Sequence, residues 1–83
     1  MFEISENVGW RILNDDQVIV VDCQSTQIFL LSYVSSLIWR NLEKCEFNTI
    51  LDKILDEYDI TKEIAKQDLE EFIEKIRNKK LIV

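Results

Sequence analysis

The chain has no histidine, no proline, a single glycine (Gly9) and two cysteines. Without histidine, neither a Ser-His-Asp nor a Cys-His triad can be assembled, because the general base is missing. One glycine cannot build a Gly-rich phosphate cradle. Cys23 and Cys45 lie far apart with no histidine beside them, so one chain cannot supply the usual four Cys/His ligands of a zinc site. No catalytic metal, cofactor or autonomous enzymatic activity is expected. The apolar runs stop at Val18–Val21 and Ile28–Leu31, far short of the ~20 residues that span a bilayer. The start, Met1-Phe2-Glu3-Ile4-Ser5-Glu6, is acidic and unlike a signal peptide. Small secreted domains usually carry several disulfides, and this chain can form one at most. These features read as a cytoplasmic protein with reduced thiols and no membrane partner.

What is present is 83 residues, 47% hydrophobic and 31% charged, with a net charge of −6. That length fits a single domain over residues 1–83, globular rather than disordered. The apolar pattern changes period near Ser32. Before it, Val8–Leu13, Val18–Val21 and Gln27–Leu31 read as β-strands separated by the polar turns Asn14–Gln17 and Gln24–Thr26. Val18-Ile19-Val20-Val21 is apolar throughout, which predicts a central strand buried on both faces. Short turns favour an antiparallel meander.

After Ser32 the spacing is helical. Val34, Leu37, Ile38 and Leu42 mark a first helix, with Ser32 as its expected N-cap. Phe47, Ile50, Leu51, Ile54, Leu55 and Tyr58 mark a second. Thr61 caps a third, whose stripe is Ala65, Leu69, Phe72, Ile73 and Ile76. Leu81-Ile82-Val83 is either a last packed strand or a docked tail. The expected architecture is α+β, a three-stranded antiparallel sheet followed by three helices, winged-helix-like.

The carboxylate pairs Asp15-Asp16, Asp56-Glu57 and Glu70-Glu71 sit in a turn or on wet helix faces, where no pKa shift toward acid–base work is expected. Trp10 and Trp39 read as core anchors. Lys75, Arg77, Lys79 and Lys80 gather at the end of the third helix, where cations complement the helix dipole. A winged-helix-like DNA-binding regulator stays open on architecture, although an excess of negative charge opposes a nucleic-acid partner. The segment Gln27–Leu31 is more informative. As the last strand of a meander it lies at a sheet edge, yet it is apolar and carries neither Pro nor Lys to blunt that edge. Either another part of the chain covers it, or it receives an extended peptide by strand addition.

Leu31-Ser32-Tyr33-Val34-Ser35-Ser36-Leu37-Ile38-Trp39-Arg40-Asn41-Leu42 resembles the PqqD family's pattern of Leu-Asn, small residues, then Ile-Trp with a Leu three residues on. Phe47–Tyr58 resembles the family's second helix. Asp68–Ile76, ending in Leu81-Ile82, resembles its third, and Val18–Asp22 with Phe29 fits its strands. Departures are Ser32 for the family's Asn, no Gly near Lys44-Cys45, and Glu46 where the second helix usually has a Thr or Ser cap. The resemblance implies a recognition element for ribosomally made, post-translationally modified peptides. Such domains bind the leader region of a precursor peptide as an added strand, between the third strand and third helix. They present it to a modifying enzyme such as a leader peptidase, a cyclase or a radical-SAM enzyme. On this resemblance Gln27, Ile28, Phe29, Leu30 and Leu31 provide the ladder. Leu69, Phe72, Ile73 and Ile76 wall the groove, and Lys66 and Arg77 are rim contacts. A lasso-peptide pathway is favoured over pyrroloquinoline-quinone assembly.

Overall fold

In a computed structural model covering residues 1–83, three strands precede three helices: β1 Val8–Asn14, β2 Gln17–Asp22, β3 Gln27–Ser32, α1 Val34–Asn41, α2 Phe47–Glu57 and α3 Lys62–Asn78. The sheet is antiparallel in the order β1-β2-β3. β2 is the central strand, but only one of its faces is fully buried. Val18 and Val20 are inaccessible to solvent, whereas Ile19 and Val21 on the other face are half-buried. The expectation of burial on both faces is corrected here: α1 packs on β2 and β3 from one side. An unbroken β-branched run reads the same with one face covered or two.

The core joins Val18 and Val20 to Leu37, Ile38, Trp39 and Leu42 at α1, Ile50, Leu51 and Ile54 of α2, and Ala65, Leu69, Ile73 and Ile76 of α3. Trp39 is 1% exposed, but Trp10 is 39% exposed and meets Trp39 edge-on, at 6.4 Å between centroids, at the margin of the core. Cys23 is exposed and Cys45 half-buried, and both thiols are free.

The entry to α1 differs from expectation. Ser32 ends β3, opposite Gln17, so its backbone remains strand. Tyr33 takes the N-cap position without a side-chain capping bond, at φ 55°. The chain passes from strand to helix in one residue, and Tyr33 absorbs the reversal in a region that favours glycine. Glu46 stands at the N-cap of α2 and makes no side-chain capping bond. Thr61 caps α3 as its sequence implies, its hydroxyl accepting from the Ile64 amide at 3.2 Å.

α3 ends in a Schellman arrangement. The Leu81 amide donates to the Ile76 carbonyl at 2.9 Å and the Lys80 amide to that of Arg77 at 3.0 Å, with Lys80 at φ 61°. This turns Leu81 and Ile82 inward, where both are buried. The tail pairs with the N-terminal segment through an antiparallel Ile4–Ile82 bridge. The Ser5 amide donates to the Leu81 carbonyl at 3.0 Å and the Val83 amide to that of Glu3 at 2.8 Å. The backbone of the C-terminal residues therefore pairs with the N-terminal segment and leaves the edge of β3 unpaired.

Asp22 organises the β2–β3 turn. Its carboxylate accepts from the Ser25 hydroxyl at 2.7 Å, the Asn7 side-chain amide at 2.7 Å and the Gln24 and Ser25 backbone amides at 3.0 and 3.4 Å. These donors, the Ser25 hydroxyl foremost, hold the carboxyl below the usual aspartate range, against a smaller opposing effect of desolvation. A depressed folded-state pKa adds stability that is present above the unfolded value and is lost as pH falls through the folded one. Thermal melts across acid pH should therefore show a loss below about pH 4, and the loss should be shallower in Asp22→Asn. A parallel loss in both proteins would remove this assignment. Thr61→Ala should cost about 1 kcal/mol, roughly 4–8 °C in Tm for a domain of this size.

Candidate functional site: an open strand edge beside an apolar cavity

The position of β3 at the end of the sheet leaves one of its sides without a strand. Which amides face that side follows from the ladder. The Tyr33 amide donates to the Asp16 carbonyl at 2.7 Å, and the register continues as Val18–Leu31, Val20–Phe29 and Asp22–Gln27. Hydrogen-bonded pairs recur at every second residue of an antiparallel ladder. The N–H and C=O of Gln27, Phe29 and Leu31 thus point into the sheet, and those of Ile28 and Leu30 point to the open edge. Side chains alternate as well. Phe29 and Leu31 share a face with the buried Val20 and Val18 and are half-buried, whereas Ile28 and Leu30 lie on the outer face at 67% and 58% exposure.

Beside this edge, between β3 and α3, lies a cavity of about 260 Å³, with nine hydrophobic residues among the eleven that line it. Buried Val20, Trp39, Ile76 and Leu81 form its floor. Half-buried Phe29, Leu31 and Phe72 form its walls, Ile28 and Leu30 border it, and exposed Lys75 and Lys79 stand at its mouth. The Lys79 ammonium sits 5.2 Å from the centroid of the Phe29 ring, within cation–π range. Pockets for whole small ligands run to about 300–1,000 Å³, so this one suits one or two side chains. No cluster of three or more His, Cys, Asp or Glu side chains is placed to hold a metal ion. No helix is long and apolar enough to cross a membrane.

Of the eleven residues singled out in the sequence, Ile28, Phe29, Leu30, Leu31, Phe72 and Ile76 meet at this cavity. Gln27 is exposed at the start of β3 and does not line it. Leu69 and Ile73 are buried at 0% and 6% and belong to the core. Lys66 lies on the outer face of α3 with Glu63, Gln67, Glu70, Glu71 and Glu74, and Arg77 is exposed away from the cavity. The reason is helical geometry. At about 100° per residue, Phe72, Lys79 and Lys75 fall on one flank of the core stripe, and Lys66 and Arg77 fall on the other. The signal for Lys75 and Lys79 was their i+3 and i+7 spacing from Phe72. Val20, Trp39 and Leu81 had no such signal, because a core residue that also floors a cavity looks like any other core residue.

This division of α3 has a measurable consequence. Leu69→Ala should lose about 2–5 kcal/mol of stability, as for a buried leucine in a packed core. Phe72→Ala, at a half-exposed wall, should lose less and stay folded with an enlarged cavity. Urea denaturation of both variants tests the order; equal losses would place Phe72 in the core instead.

The chain matches the family model of coenzyme PQQ synthesis protein D (PqqD) over residues 17–82. No curated protein matches it. Among solved structures, it is similar to TbiB1 in complex with the TbiA(beta) leader peptide, at 32% identity and a TM-score of 0.87, covering 96% of this chain and 93% of that one. It also shares the fold of a lasso peptide synthetase B1 complexed with the leader peptide, at 13% identity and a TM-score of 0.82, covering 99% and 96%. The family match takes in β2, the open strand, all three helices and every residue that lines the cavity: the chain belongs to the PqqD family.

Proposed function

We propose that this chain is a non-catalytic protein that captures the leader of a ribosomally made precursor peptide and presents it to a maturation enzyme. The leader joins β3 as a fourth, antiparallel or parallel strand and sets inward-facing apolar side chains into the cavity against α3. The observation that carries this reading is the conjunction of an unpaired apolar edge with an apolar cavity alongside it. That is the geometry of strand addition, in which the main chain supplies the ladder and alternate side chains fill pockets. The leader-bound state of TbiB1, a relative at 32% identity over nearly the whole chain, supports it.

The mechanism is positional. Holding the leader raises the effective concentration of the attached core peptide near a leader peptidase, cyclase or radical-SAM enzyme bound to the same protein. A lasso-peptide pathway is preferred to pyrroloquinoline-quinone assembly, and the fold shared with a lasso peptide synthetase B1 agrees with that preference while carrying architecture only. A duplex DNA partner is disfavoured by the acidic outer face of α3, where Glu63, Glu70, Glu71 and Glu74 would repel phosphates.

Proline substitution along β3 tests strand addition with a stated parity. Proline at Gln27, Phe29 or Leu31 removes a bond of the existing ladder and should unfold the domain by circular dichroism. Proline at Ile28 or Leu30 removes only an outward N–H, a position sheet edges tolerate. Those two variants should stay folded and bind the cognate leader about 10-fold or more weakly, a loss of 1.4 kcal/mol or more. Parent-like leader affinity in folded Ile28→Pro and Leu30→Pro would rule out addition at this edge.

A further inference from the structure

We infer that the site selects an acidic side chain at an inward-facing position of the bound strand, next to the apolar residue that fills the cavity. The inference rests on the strand-addition reading above and adds a charge requirement to it. The only polar residues lining the cavity are Lys75 and Lys79. They mark a local positive mouth on a chain whose net charge is −6. Both are exposed, and both sit on the flank of α3 that faces β3, on the solvent side of Phe72 and Ile76. Lys79 stands 5.2 Å from the centroid of the Phe29 ring, which places its ammonium over the cavity beside β3. Glu71, one turn before Lys75, accepts a hydrogen bond from Gln67 at 3.0 Å. It borders Lys75 together with Asp68 and Glu74, but none of these carboxylates lines the cavity itself, where Lys75 and Lys79 are the charged groups.

The spacing fits a strand. Lys75 and Lys79 are four residues apart on α3, about 6 Å along its axis. Side chains on one face of an extended strand recur every two residues, about 6.7 Å. Because both lysines border the cavity alongside β3, a strand paired with β3 that sets one inward side chain into the cavity carries its neighbouring inward position, two residues away, within reach of an ammonium at the rim. An aspartate or glutamate there pairs with an exposed lysine at the rim of the apolar cavity. A lysine or arginine at the same place meets like charge. The ligand class is an extended acidic–apolar peptide with its acid two residues from its apolar anchor.

Panning a display library of random peptides of about ten residues, the upper range of ordinary strands, on the wild-type protein tests this. Parallel selections use Lys75→Glu/Lys79→Glu and Leu30→Pro, each checked for folding by circular dichroism. The expected result is enrichment of an acid two positions from a bulky apolar residue, replaced by Lys or Arg in the double charge reversal. Synthetic copies of a selected peptide should lose roughly 2- to 5-fold in affinity against Lys75→Gln or Lys79→Gln, the scale of one near-surface ion pair. Apolar enrichment without an acid, lost in Leu30→Pro, would overturn the charge requirement and leave strand addition standing. Peptides that bind wild type and Leu30→Pro alike would overturn both.

Discussion

An antiparallel strand at the end of a sheet leaves every second amide and carbonyl without a partner, and the site depends on that constraint. In β3, ahead of its last residue Ser32, those groups belong to Ile28 and Leu30, and nothing else in the chain takes them up. The C-terminal tail, the most available cover, is diverted by the turn at Lys80 onto the N-terminal segment. The helix that could have sealed the edge, α3, stands off by the width of a cavity that one or two side chains would fill. An apolar edge kept open in this way is an aggregation hazard for a monomer, so its persistence beside a shaped cavity argues for a ligand.

α3 carries two jobs on adjacent stripes. Ala65, Leu69, Ile73 and Ile76 hold it to the core. Phe72, Lys75 and Lys79, one flank over, face the cavity, and the opposite exposed face is acidic. A helix that both anchors the fold and shapes the site couples stability to binding. Substitutions on the core stripe damage both properties, whereas those on the flank alter recognition at a smaller cost in stability.

Most of the architecture was legible in the residues. Alternation broken by polar turns, followed by i, i+3, i+4 spacing, gave the order of all six elements, because each local preference agrees with the tertiary outcome. The departures share a physical cause. Ser32 looks like a cap, but its pairing with Gln17 keeps it in the strand and moves the reversal to Tyr33. Ile19 and Val21 look buried because composition does not record whether a second layer covers a sheet. The family resemblance offers Lys66 and Arg77 as rim contacts without saying on which side of the stripe they fall. The side of the stripe on which the cavity opens depends on how α3 docks relative to β3, which no local pattern encodes. The parity of β3 was equally hidden, since it depends on which residue of the turn first pairs.

The division of energy between backbone and side chains follows from these pieces. Pairing with Ile28 and Leu30 engages one N–H and one C=O from each, and a hydrogen bond contributes only about 1 kcal/mol net. Ordering each residue of a flexible peptide costs about 1–2 kcal/mol. The ladder alone therefore comes close to cancelling, and its role is to set direction and register. Affinity has to come from what enters the cavity, where burial of one large apolar side chain is worth about 1.5–3 kcal/mol, with the lysines at the mouth adding discrimination. A recognition site built this way tolerates variation along most of a bound strand and is strict at the one or two positions that face Phe29 and Phe72.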